Sequence, residues 1–331
     1  MKQFYLVLLF SANIIHSCSQ TDNKITGSVN TIGYNLSVPD KVYILPGILQ
    51  EISGITEIDA SSIACVQDEH ETVYIYDTDK SQIVRQIFTG RSGDYEGIAR
   101  VNKTIYVLRS DGIITEIAGF DSDKFKRTTY QTNIPWKDNE GLCYDPKNNR
   151  LLIAPKETPG KDSGHKDFRL IYAFNLSTKK TVIEPVFRLD LNDINKFALD
   201  NKIKVPMKGK IKSGKEEPDI KFQVSAIGIH PISGKLFVIS GSERLLFVFD
   251  MKGHIVFMER LSGDLFRQPE GITFMKNGDM FISNEGKGKS PTLVRFNYRS
   301  AAAGKMRLKD GSRKSAVLLR QGCGGQSWKL T

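Results

Sequence analysis

A short phrase recurs along this chain at nearly constant spacing, and that period constrains the fold more than any other feature. It reads Glu51-Ile52-Ser53-Gly54-Ile55, Glu96-Gly97-Ile98, Glu140-Gly141-Leu142, Ser225-Ala226-Ile227-Gly228-Ile229 and Glu270-Gly271-Ile272. Successive starts lie 45, 44, 85 and 45 residues apart. A period of about 40–50 residues is that of a β-propeller blade, one four-stranded sheet per repeat. The long gap then reads as one repeat carrying an insertion. Between the phrases lie short β-branched or aromatic runs, among them Ser62–Gln67, Thr72–Asp77, Thr104–Arg109 and Arg150–Ala154. Turn residues such as Asp145-Pro146 and Asn277-Gly278 separate them.

The expectation is therefore an all-β, five-bladed β-propeller. Its fifth repeat shows only three strands, and the alternating segment Gly33–Leu45 can supply the missing outer one, closing the ring and removing its open edges. No stretch of the body shows sustained helical periodicity. The 331 residues thus divide into a signal at 1–18, a tether at 19–32 and one ring at 33–298. The ring carries a Lys-rich insertion at about 190–222, and a basic tail follows at 299–331.

Net charge is +10, which on its face points to nucleic acid or an anionic surface. Its placement says otherwise. The tail from Arg299 holds eight basic residues against Asp310 alone, and Asn195–Lys221 holds eight Lys against four acids, so the body is close to neutral. Neither segment interleaves its Lys and Arg with aromatics as a nucleic-acid module does, so no nucleic acid is expected as a partner. Both read as solvated appendages.

The N-terminus reads as an address. Lys2 precedes an apolar run, Phe4–Phe10, that is too short to span a bilayer and ends in small residues. Ile15-His16-Ser17-Cys18 looks like a bacterial lipobox, which would make Cys18 a lipidated first residue and place the body at the cell envelope as a membrane-anchored lipoprotein, on the outer membrane or facing the periplasm.

The repeated glutamates are the candidate chemistry. In a propeller the first strand of each blade lines the channel and the second returns to the same face. Glu51, Glu96, Glu140 and Glu270 begin first strands, while Asp68-Glu69, Lys156-Glu157 and Asn284-Glu285 end second strands. Carboxylates gathered at one mouth repel each other unless a cation neutralises them. Oxygen ligands without His or Cys suit Ca²⁺. The candidate ligands are Glu51, Glu96, Glu140, Glu270, Asp68, Glu69, Glu157 and Glu285. The other reading is structural, with each Glu accepting hydrogen bonds from nearby backbone.

Leu49–Ile55, Gln67-Asp68-Glu69, Gly93–Ala99, Leu108–Gly112, Asn139–Leu142, Pro269–Ile272 and Ser283–Gly286, taken in order, resemble the SdiA-regulated (YjiK-like) family. The resemblance implies a five-bladed envelope propeller with a calcium site, distantly similar to NHL-repeat propellers. It supplies architecture more than activity. Two functions remain open: a calcium-binding module for an envelope protein or glycan, or a calcium-dependent hydrolase, phytase- or lactonase-like, with metal-activated water in the channel. A phytase-like site needs basic residues to hold phosphates, and only Arg91, Arg109 and Lys156 stand near strand ends. Binding is favoured.

Overall fold

A computed structural model describes residues 31–90, 92–157, 165–209 and 216–300. The signal, Cys18, most of the tether, Arg91 and the tail beyond residue 300 lie outside them.

The chain forms five four-stranded antiparallel sheets arranged as a five-bladed propeller. Strand β1 is Lys41–Ile44. Blade one holds β2 (Ile52–Glu57), β3 (Ser62–Gln67), β4 (Thr72–Asp77) and β5 (Gln82–Phe88). Blade two holds β6 (Tyr95–Val101), β7 (Thr104–Arg109), β8 (Ile113–Ala118) and β9 (Lys126–Gln131). Blade three holds β10 (Asn139–Asp145), β11 (Arg150–Pro155), β12 (Phe168–Asn175) and β13 (Lys180–Asp190). After an insertion with helix α1 (Leu191–Asp200) and a hairpin of β14 (Met207–Gly209) and β15 (Glu216–Pro218), blade four holds β16 (Ala226–Ile229), β17 (Leu236–Ser240), β18 (Leu245–Phe249) and β19 (Ile255–Arg260). Blade five has β20 (Pro269–Phe274), β21 (Met280–Asn284) and β22 (Thr292–Phe296).

Strand β1 pairs antiparallel with β22, Val42 opposite Val294, and is the outermost strand of blade five. The last blade is thus built from both ends of the ring. Tyr43 secures it, buried against Phe281 and Tyr76 at ring-centroid distances of 6.4 and 6.3 Å.

Burial follows strand position. The second and third strands read as near-continuous apolar runs because both faces are covered by neighbouring blades, as in Leu245–Phe249, where every residue is buried. Fourth strands alternate exposed with partly buried residues, as Gln82–Phe88 does, where Ile87 alone is fully buried. The innermost strands pack so closely that small residues are required between them. A Cβ at Gly54 would lie 2.7 Å from the Glu96 carbonyl oxygen, and one at Gly271 would lie 2.6 Å from the Ser53 carbonyl oxygen. At these two positions Gly is needed because the next blade's backbone runs against it.

The insertion differs from the expected solvated loop. Asp190 caps α1, its Oδ1 accepting a hydrogen bond from the Asn192 amide at 2.8 Å. Ile194 and Ala198 on the helix, with Ile220, Phe222 and Val224 beyond the hairpin, are buried in the core shared by blades three and four. Lysines cover the outer surface while these apolar anchors hold the inner one. The structure also adds β9, a fourth strand in blade two that the sequence does not announce.

Candidate site at the acidic mouth of the channel

Pairing between first and second strands fixes which residues are equivalent around the ring. Ile55 faces Cys65, Ile98 faces Val107, Leu142 faces Ile153, Ile227 faces Val238 and Ile272 faces Ile282. Those five first-strand residues are all buried and form an apolar collar about the axis. Two positions toward the phrase start stand Ser53, Glu96, Glu140, Ser225 and Glu270. Two further out stand Glu51, Asp94, Asp138, Gln223 and Gln268. Second strands contribute, three positions past the collar partner, Asp68, Ser110, Lys156, Gly241 and Glu285. One mouth thus carries acids from blades one, two, three and five, while blade four is uncharged at all three positions.

The strands bulge where the inner glutamates occur. Tyr95 pairs with Arg109 and Gly97 with Leu108, leaving Glu96 unopposed; Glu140 and Glu270 fall in the same kind of register break. A bulge re-aims the side chain of its extra residue, and the glutamates of three blades are turned in this way. Together with Ser225 and the collar, Glu96, Glu140 and Glu270 bound a cavity of about 10 Å³, roughly the least that one water molecule needs.

The electrostatics are those of crowded acids with too little positive charge. Burial, then the neighbouring Glu140 and Asp94 carboxylates, raises the Glu96 carboxyl well above its ordinary value. Glu140 is also raised by burial, but less, because Lys156 Nζ donates to its Oε1 at 2.6 Å. Glu270 is raised by burial although the Ser225 hydroxyl and Gln268 bond to it. Burial and the charges of Glu51, Asp94 and Glu285 push Asp68 up to about 6. Glu285 is raised by burial despite its ion pair with Lys287 at 2.6 Å. Acids on neighbouring blades therefore feel one another across the mouth.

The expected ligands are placed unequally. Glu96, Glu140 and Glu270 stand at one position around the axis. Glu51 does not: its blade offers Ser53 there, and Glu51 lies one tier outward, level with Asp94. Asp68 and Glu285 occupy the equivalent second-strand exits. Lys156, not Glu157, holds that exit in blade three; Glu157 is exposed and accepts a hydrogen bond from Gln223 Nε2. Glu69 is also exposed, its amide bonded to Gln67 Oε1 at 2.8 Å. Asp94 and Asp138 are additional acids, found by counting back from the repeated Gly. Arg109 is engaged by both carboxylate oxygens of Asp111, at 3.2 and 2.5 Å, rather than turned free toward an anion.

Hard oxygen donors in excess of cations, beside an ion-sized space, fit Ca²⁺ by chemistry. Among the described residues no group of three or more His, Cys, Asp or Glu side chains is arranged to hold a metal ion. Lys156 is one positive charge already at the mouth, with Lys287 beside Glu285 another. The Lys156 ammonium is held above its usual value: burial works against the charge, but Glu140 and the charges of Glu270 and Glu96 outweigh it.

The fold and mouth define a five-bladed β-propeller with an acidic channel opening. Residues 203–310, about a third of the chain, match the family model described as SdiA-regulated, in keeping with the family likeness; the motifs Pro269–Ile272 and Ser283–Gly286 fall within the match. No curated protein matches the chain. Among solved structures, the glutaminyl cyclase of Myxococcus xanthus is 13% identical, with a TM-score of 0.55 over 79% of this chain and 96% of that one. A streptogramin B lyase structure is 13% identical, with a TM-score of 0.46 over 78% of this chain and 97% of that one. At such identity the first likeness is one of fold.

Proposed function

We propose that the protein is a cell-envelope lipoprotein whose propeller is a calcium-binding interaction module, with the ion taken at the acidic mouth. The observation that carries this reading is the trio Glu96, Glu140 and Glu270, turned by register breaks to line one small cavity, where their side chains would have to draw together to share an ion. All three carboxyls are raised by burial there, and a bound cation would favour their ionised form. A divalent cation would neutralise them, with Ser225 and waters completing an oxygen shell. Lys156 Nζ already holds Glu140 Oε1, so an ion would take the other oxygen or displace the ammonium. Cys18 would hold the body at the membrane by its lipid. Among the described residues no helix is long and apolar enough to cross a membrane. The charge-poor blade four leaves one side of the mouth for a protein or glycan partner.

Thermal unfolding tests the ion. Ca²⁺ raises the melting temperature, EDTA reverses the rise, and Glu140→Gln with Glu270→Gln abolishes it. A melting temperature indifferent to Ca²⁺ in the wild type sinks the reading.

A calcium-dependent hydrolase is the second reading. It is favoured by one observation: Glu96 and Glu140 are neighbouring carboxyls in unlike environments, one beside Lys156 and one not, as an acid and base pair requires. EDTA-sensitive turnover of phytate or a lactone would promote it over the binding module.

A further inference from the structure

The collar that floors the acidic mouth also floors a second opening. On the opposite face of the ring lies a cavity of about 290 Å³, lined from all five blades. Its base is the collar, and Ala99, Cys143 and Phe274 continue the apolar wall. The charged groups are confined to its outer part and are not balanced. Glu57 is paired with Arg100 at 2.9 Å, and Asp145 with Arg150 at 2.8 Å. Lys147 and Lys276, from the first turns of blades three and five, are exposed and make no ion pair among the described residues. His230 adds no charge near neutral pH, since burial pushes its ring down to about 4.

Arg100 is preorganised at this rim. Its Nε donates to the Glu57 carbonyl at 2.8 Å, Nη1 to the Asn102 carbonyl at 3.1 Å and Nη2 to Glu57 Oε1. A guanidinium has five N–H donors, so two remain. An apolar base with a few polar groups at its edge is the usual make-up of a small-molecule site. A volume of about 290 Å³ lies at the lower end of the range of small-molecule sites.

We propose that the mouth opposite the acids binds a small amphipathic anion, its apolar part on the collar and its acidic head among Lys147, Lys276 and the free donors of Arg100. Opposite charge at the two mouths makes the ring two-faced: cation on one side, organic anion on the other. The two sites share only the collar, so either can exist without the other.

Octanoate, octanol and octylamine, similar in size and different in head charge, are the probes. They are titrated by calorimetry into the full chain in EDTA, which keeps the acidic mouth free of metal. Octanoate binds saturably, octanol more weakly and octylamine not at all. Lys147→Gln with Lys276→Gln weakens octanoate roughly threefold to tenfold, as expected for exposed charge contacts, and leaves octanol unchanged. Octylamine binding as well as octanoate overturns the proposal, as does octanoate binding that ignores both lysine substitutions. So does the absence of saturable octanoate binding to the folded wild type, whatever the variants do.

Discussion

Glu96 is a glutamate in a place where its own charge is unwelcome. Its carboxyl is raised in the folded ring, so the folded state holds a proton that the unfolded chain releases at lower pH. Native stability therefore falls as pH climbs above the ordinary carboxyl value and through the raised one, because over that window the folded state binds more protons. Glu96→Gln removes the penalty. Without metal, the variant should melt above the wild type at pH 8, by roughly 2–4 °C for each kcal/mol relieved, and equal it at pH 4. Equal melting at both values would mean that Glu96 is ionised at no cost. The same residue shows where reading the chain falls short. The phrase starting Glu51 looks like the one starting Glu96, but two extra residues before its Gly put Ser53 in the ring and Glu51 a tier outward. Likewise Lys156 and Glu157 are adjacent in sequence, and it is the contact of Lys156 with Glu140 that shows which of them faces the mouth. The types of residue at the site were legible, but their tier was not.

At the scale of elements, the innermost, second and third strands were readable because each carries a burial pattern in its own sequence. Strand β9, Lys126–Gln131, was not, since an outer strand of Lys, Arg and Thr buries little apolar surface. Helix α1 escaped for a related reason. Ten residues with two buried positions, set among lysines, give too short a period to stand out. The cap holding that helix can be tested. Asp190→Ala removes the acceptor for the Asn192 amide and should cost about 0.5–2 kcal/mol in chemical denaturation. No loss would show that core anchoring alone sets the helix start. Strand β1 is held mainly by a buried ring. Tyr43→Ala should cost about 3–5 kcal/mol, with β22 left as an open edge that promotes self-association in size-exclusion chromatography. A stable monomeric variant would argue that the ring closes without this anchor.

For the whole molecule, an all-β ring closed by an N-terminal strand follows from a period near 45 residues and from one incomplete final repeat. The totals that first point elsewhere, a charge of +10 above all, dissolve once charge is placed by segment. The ring itself separates two unlike openings across an apolar collar, an arrangement that no composition reports because both openings draw on the same five strands. The central claim is that buried acids at one mouth are completed by a cation. It is tested most directly by calorimetric titration of Ca²⁺ into the full chain at pH 5 and pH 8, in buffers of different ionisation heat. The account predicts one saturable site, tighter at pH 8, with protons released on binding as the raised carboxyls give them up. Absence of binding at millimolar Ca²⁺, or an affinity that is the same at both pH values with no proton release, would contradict it.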